Sequence, residues 1–219
     1  VILGNSNVVC IIGHIGNHSI AAGSIAAVSK RHSGNIGVIW IDAHGDWNSE
    51  ESTCTGNMHG MPFSAVCGYG PDCMVEFGQG AAPVNVAHCV QVGGRDIDDL
   101  ERQRMAQAGV TVFPINMIDK LGMGAVIERA IQIAGEGTDG IHLSFDVDAI
   151  TPEAVPGTGV IVYNGLTPRE AFLAAEAIAE SRKLISMDMV EVNPFLDTAN
   201  KSGILASELI QSALGKSVY

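Results

Sequence analysis

Positive charge is scarce in this chain. Its 219 residues hold 12 Lys and Arg against 24 Asp and Glu, a net charge of -12. That balance argues against nucleic acid or an anionic membrane as partner and suits a cationic substrate. Charge of either sign is limited to 16% of residues while 47% are hydrophobic, so the chain is globular rather than disordered and long enough for a full core. Long apolar runs are lacking too. The stretch Val8 to Ile15 is short and interrupted by Gly13, and no signal peptide or membrane span is visible. Cysteine is limited to Cys10, Cys54, Cys67, Cys73 and Cys89, with no zinc-type spacing among them. An odd, unpatterned set fits reduced thiols and a cytoplasmic location better than a disulfide framework. Cys10 and Cys89 fall in apolar, strand-like runs and are expected in the core. Internal repeats and linkers are absent, which predicts a single domain over residues 1–219.

What is present alternates. Apolar strand-like runs lie at 7–13, 36–41, 84–92, 110–113, 141–145 and 184–190, with helical stretches at 20–30, from about 61, at 99–108, 123–134, 167–181 and 199–213. Ser19 is expected to cap the first helix, and Thr167-Pro168 opens a later one with a capping residue before proline. Most strand runs are apolar on both faces, which predicts a mostly parallel sheet covered by helices on each side, a three-layer α/β/α fold. Residues 49–60 and 151–165 read as loops.

The chemically loaded residues gather at the expected strand exits, where parallel sheets bind ligands. Asp42, His44 and Asp46 follow the run ending at Ile41 at alternate positions. In an extended backbone such residues point to one side, which would place two carboxylates and an imidazole in one small volume. Like charges cannot all ionise side by side in a dry pocket, and a divalent cation removes the difficulty; oxygen and imidazole donors suit manganese, iron or zinc. A solvated acidic loop is the alternative. Asp146 and Asp148 share the same spacing after the 141–145 run, His18 follows the first run and Glu191 the last. Together they supply two imidazoles and four carboxylates, too many for one metal and enough for two if some carboxylates bridge. A metal pair is the arrangement that activates water near neutral pH.

The motifs GNHS (16–19), DAHGD (42–46), SFDVD (144–148) and MVEVNP (189–194), in that order along the chain, resemble the ureohydrolase family, whose members include arginase and agmatinase. The resemblance implies an enzyme with two Mn2+ per chain on a three-layer α/β/α fold. It places His18, Asp42, Asp46 and Asp146 on one metal and His44, Asp42, Asp146 and Asp148 on the other, with Asp42 and Asp146 bridging. It further implies that a metal-bridging hydroxide attacks the guanidinium carbon, that Glu191 holds the guanidinium, that Asp46 passes a proton to the departing amine, and that His59 shuttles protons. The segment Asn48 to His59 is similar to arginase, with Asn48 and Thr55 at the positions that read an α-carboxylate. Gly94 to Asp98 is similar too, with Asp98 meeting the α-ammonium and Glu101 as a supporting acid; the alternative for both is a helix N-terminal acid stabilised by the helix dipole.

L-arginine is therefore the expected substrate, with L-ornithine and urea as products, and relatives suggest a homo-oligomer, trimer or hexamer. Agmatine or another guanidino compound is the alternative substrate, and a metal-poor, non-catalytic arginine-binding protein the alternative class. The sequence departs from the family at Asn17, where an Asp is usual, at Val160, where a Thr is usual, and at Tyr163-Asn164 in place of a Gly pair. Set against the family, the chain is also expected to be short at its N-terminus.

Overall fold

The computed structural model describes residues 9–10, 17–76 and 80–216, and every absence stated below refers to those residues. Six parallel strands form one sheet: β1 (Val9–Cys10), β2 (Gly37–Ile41), β3 (Cys89–Val92), β4 (Thr111–Phe113), β5 (Ile141–Asp146) and β6 (Leu184–Val190), in the order β1-β6-β5-β2-β3-β4. The helices are α1 (Ile20–Arg31), α2 (Pro62–Val66), α3 (Asp72–Val75), α4 (Asp99–Ala108), α5 (Ile115–Leu121), α6 (Met123–Gly135), α7 (Pro168–Ser181) and α8 (Lys201–Ala213). None is long and apolar enough to cross a membrane.

Alternation along the central strand sorts the core into two halves. Ile39 and Ile41 of β2 face a cluster built from α5, α6, α7 and α8; Val38 and Trp40 face a second cluster built from α1, α2, α3 and α4. Side chains two apart share a face, so one strand feeds both layers and must be apolar throughout. The three-layer α/β/α expectation is met. Gly37 shows how close the upper layer comes, since a Cβ there would lie 1.9 Å from the Ala134 carbonyl oxygen of α6.

Register then fixes the site. Ile41 of β2 pairs with Phe145 of β5, so Asp42 and Asp146 leave the sheet side by side. Asp146 pairs in turn with Val190 of β6, which puts Glu191 at the next exit. The chain runs outward from β2 through β3 to β4, then returns to β5 on the other flank of β2. The crevice between β2 and β5 is thus the point where the strand order reverses, the usual ligand position in such sheets.

Several local expectations are corrected. The run at 84–92 forms a strand only from Cys89: the Asn85 side chain accepts the Ala87 N–H at 3.1 Å and winds 86–88 into a 3-10 turn. Helix α5 was not expected, because Pro114 reads as a strand stop although it also leads into a helix. Ser19 makes no cap bond to α1; its hydroxyl turns to the Asn17 side chain. Thr167 caps α7 as expected, accepting from Glu170 N–H at 3.2 Å, and Glu170, not singled out in the sequence, accepts from Thr167 N–H at 2.8 Å. Of the run expected at 7–13, only 9–10 lies within the described residues.

Candidate metal centre and substrate cavity

The two Asp-rich motifs use one local device. Asp42 Oδ1 accepts the N–H of His44 at 2.7 Å, and Asp146 Oδ1 accepts the N–H of Asp148 at 2.8 Å. Each aspartate therefore folds the chain back over itself, and residue i+2 is brought round by a turn rather than by an extended strand. The geometry assumed for alternate residues is corrected here: Asp148 lies in a 3-10 turn, and Asp46 has φ +49°. Convergence survives because neighbours clamp the turns. Gln91 of β3 donates to the carbonyls of Asp42 and His44 at 3.0 and 2.9 Å, and the Asp46 carbonyl accepts from Phe63 and Ser64 at the start of α2.

The side chains meet in two groups. His18 Nδ1 lies 2.9 Å from Asp42 Oδ2, 3.0 Å from Asp46 Oδ2 and 3.2 Å from Asp146 Oδ2. His44 Nδ1 lies 3.2 Å from Asp42 Oδ1 and 3.2 Å from Asp148 Oδ2. His18 with Asp42 and Asp146, and His44 with Asp42 and Asp148, each could hold a metal ion. Asp42 sends one oxygen to each group, the placement of a bridging carboxylate; Asp146 joins only the first.

Two observations test the fit to a metal. First, His18 Nδ1 and Asp46 Oδ2 are buried without a hydrogen-bond partner despite their short separation, as expected of donors converging on a common centre. Second, the His18 ring is oriented from behind. Ser144 Oγ donates to Asp188 Oδ1 at 2.5 Å, so at His18 Nε2, 2.8 Å away, it can only accept. Nε2 then carries a proton and Nδ1 is the nitrogen left to face a cation. Burial opposes a charged ring, yet Asp146, Asp42 and Asp46 raise its pKa, so without a cation Nδ1 holds a proton as well. Trp40 stacks on the same ring at 4.0 Å. The donor set fits divalent cations.

Electrostatics point the same way. Burial, reinforced by the neighbouring carboxylates, raises the pKa of Asp46, Asp146 and Asp148. Burial opposes a charged imidazole, yet Asp148 and Asp42 outweigh it and push His44 up to about 12. Without cations, this cluster holds its charge only by gathering protons.

Above the metal groups opens a cavity of about 270 Å³. His18, His44, Asp46, Asp146 and Asp148 line it, with Asp42 fully buried beneath. Glu191, at φ +62°, also lines it and accepts the His18 N–H at 2.8 Å. Asn48, Thr55 and His59 reach the cavity from the loop after β2, and Asp98 and Glu101 from the start of α4. Asp98 occupies the N-cap position without a side-chain cap bond. Glu101 is 3% exposed; burial pushes its carboxyl up to about 7, and its Oε1 accepts the Trp47 N–H at 2.7 Å. All twelve residues singled out in the sequence are thus gathered at one end of the sheet.

The profile of the Arginase family matches residues 1–215. The chain belongs to the arginase family. Over 201 residues it is 41% identical to the arginase of Bacillus caldovelox, covering 92% of this chain and 67% of that one. The solved structure of that arginase superposes with a TM-score of 0.92 at 40% identity, over 96% of this chain and 69% of the other. An Entamoeba histolytica arginase solved in complex with L-ornithine matches with a TM-score of 0.87 at 34% identity, over 96% and 70%.

Sequence reasoning missed the groups that orient this arginase-family site. Gln91, Ser144 and Asp188 sit inside strands read only as apolar, and a polar residue in a buried strand was the available signal. Cys54, Asn57 and Asp96 also line the cavity, and nothing in their spacing distinguishes them.

Proposed function

We propose that the chain hydrolyses L-arginine to L-ornithine and urea with two Mn2+ ions. The observation that carries this reading is Asp42 dividing its oxygens between two His/Asp groups beneath an acidic cavity. The first ion would be held by His18, Asp42, Asp46 and Asp146, the second by His44, Asp42, Asp146 and Asp148. When bound, such a pair supplies Lewis acidity and a water deprotonated near neutral pH.

The side chains do the rest. Glu191 is anchored through Oε1 by the His18 N–H, so its orientation is set before substrate arrives, and its carboxylate pairs with the guanidinium. Asp46 moves a proton to the departing amine, and His59 on the cavity wall relays protons to solvent. At the far end, Asn48 and Thr55 read the α-carboxylate, and Asp98, free of capping duty, takes the α-ammonium. Glu101 braces this end through Trp47. The curated Bacillus caldovelox relative and the ornithine complex of the Entamoeba histolytica arginase support arginine as substrate. A cytoplasmic, homo-oligomeric enzyme, trimer or hexamer, completes the reading.

The test is urea release from L-arginine and from agmatine, in parallel, on manganese-loaded protein. Urea from arginine with agmatine poorly used is expected. Urea from agmatine alone would overturn the roles of Asn48, Thr55 and Asp98, and no urea from either would overturn the function.

A further inference from the structure

Arg95 follows Gly93-Gly94 at the exit of β3, yet no carboxylate accepts a hydrogen bond from its guanidinium. Its N–H groups go to four backbone carbonyls instead. Nη2 donates to Asp148 O at 2.7 Å and Val162 O at 2.8 Å, Nη1 to Ala149 O at 3.1 Å, and Nε to Tyr163 O at 3.0 Å. Two acceptors belong to the turn that carries Asp148, and two to the loop crossing the cavity mouth. The Arg95 backbone N–H meets the Ala43 carbonyl at 2.8 Å, in the turn that carries His44. One residue therefore touches the exits of β2, β3 and β5 and the loop above them.

That loop has few other ties. Its start and end are pinned by Thr151 N–H to Leu166 O and Leu166 N–H to Ala149 O, each at 2.9 Å. Its middle is pinned at Gly157, whose carbonyl accepts from Asn193 at 2.8 Å and whose N–H reaches Ser202 Oγ at 2.8 Å. Between Gly157 and Gly165 the chain carries Val160 on the cavity wall, and Val160, Ile161 and Tyr163 are exposed. Arg95 supplies the hold at 162–163. Gly165 makes room for it, because a Cβ there would fall 2.7 Å from Arg95 Nη2.

We propose that Arg95 is a positioning residue: its guanidinium straps residues 158–163 to the Asp148 turn and so sets how far Val160 stands into the substrate cavity. A planar fork with five donors can serve several carbonyls at once, which a lysine ammonium cannot reproduce. The kinetic side of this proposal rests on the arginine-hydrolase reading; the strap itself does not.

The test compares wild type, Arg95→Lys and Arg95→Ala as manganese-loaded full chains. It measures amide hydrogen exchange over 158–166, metal per chain, and kcat and KM for arginine separately. Exchange in 158–166 should accelerate by roughly 10-fold or more in Arg95→Ala and less in Arg95→Lys, with 49–60 unchanged, as loss of several charge-assisted bonds implies. KM should rise by about 10-fold while kcat and bound metal stay close to wild type, the pattern of lost ground-state fit. Unchanged exchange over 158–166 in both variants would overturn the strap, and unchanged KM would overturn its effect on the substrate. Loss of metal and kcat with KM unaltered would also overturn it, showing a merely structural role at Asp148. If wild type released no urea, the substrate reading would fall, and the exchange measurement would still decide the strap.

Discussion

At the scale of single residues, the site is a set of donors whose orientation comes from buried polar neighbours. His18 presents Nδ1 because Ser144 and Asp188 occupy Nε2, and Asp42 is reached by Trp40 Nε1 at 3.0 Å as well as by the two histidines. The ligand types and their order were legible in the sequence, because carboxylates and imidazoles beside buried strands have few other uses. Their convergence was expected as well, but not its means, which are turns at Asp42 and Asp146 and the clamp of Gln91 from a neighbouring strand. Glu101 gives a residue-scale prediction. Its carboxyl, held at about 7 against an ordinary 4.5, is protonated in the fold where the unfolded chain has already ionised it. A raised value of this kind contributes stability below pH 4.5 that is lost as pH climbs through 7. Glu101→Gln should therefore gain on wild type across that window, by at most about 3 kcal/mol, and level off above it. Urea denaturation at several pH values checks this; parallel wild-type and variant curves would contradict it.

At the scale of elements, each functional segment enters the site from a strand end or a helix start that its own sequence defines. Helix α7 is the clearest case: Thr167-Pro168 marked its start in the sequence, and the structure adds Glu170 as the reciprocal partner of Thr167. Thr167→Ala should lower stability by about 1 kcal/mol in denaturant titration, with no change in metal binding. An unchanged midpoint would show that packing of Ala171, Ala174 and Ile178 alone holds the helix. Helix α5 and the late start of β3 were illegible for separate reasons. Asn85 lies inside a run whose hydrophobicity reads as strand, and its side-chain bond to Ala87 N–H turns the chain there. Pro114 reads as a strand stop, and the helix that follows it begins without a side-chain cap bond to announce it.

At the scale of the molecule, charge is concentrated. Seven acidic residues line the cavity and Asp42 lies beneath it, eight of the 24 in the chain, and no Lys or Arg lines it among the described residues. Such a funnel raises the local concentration of cations, both metal and guanidinium. The parallel sheet and its two helical layers were legible from strand–helix alternation. The strand order, which brings β2, β5 and β6 together, was not, because it rests on crossovers between distant segments. The whole site turns on Asp42 joining two metal positions. Crystals of the chain soaked in manganese, measured for anomalous scattering at the manganese edge, test it directly. Two peaks are expected, one within bonding distance of His18 Nδ1 and one of His44 Nδ1, with the Asp42 carboxylate between them. A single peak, or peaks away from Asp42, would contradict it.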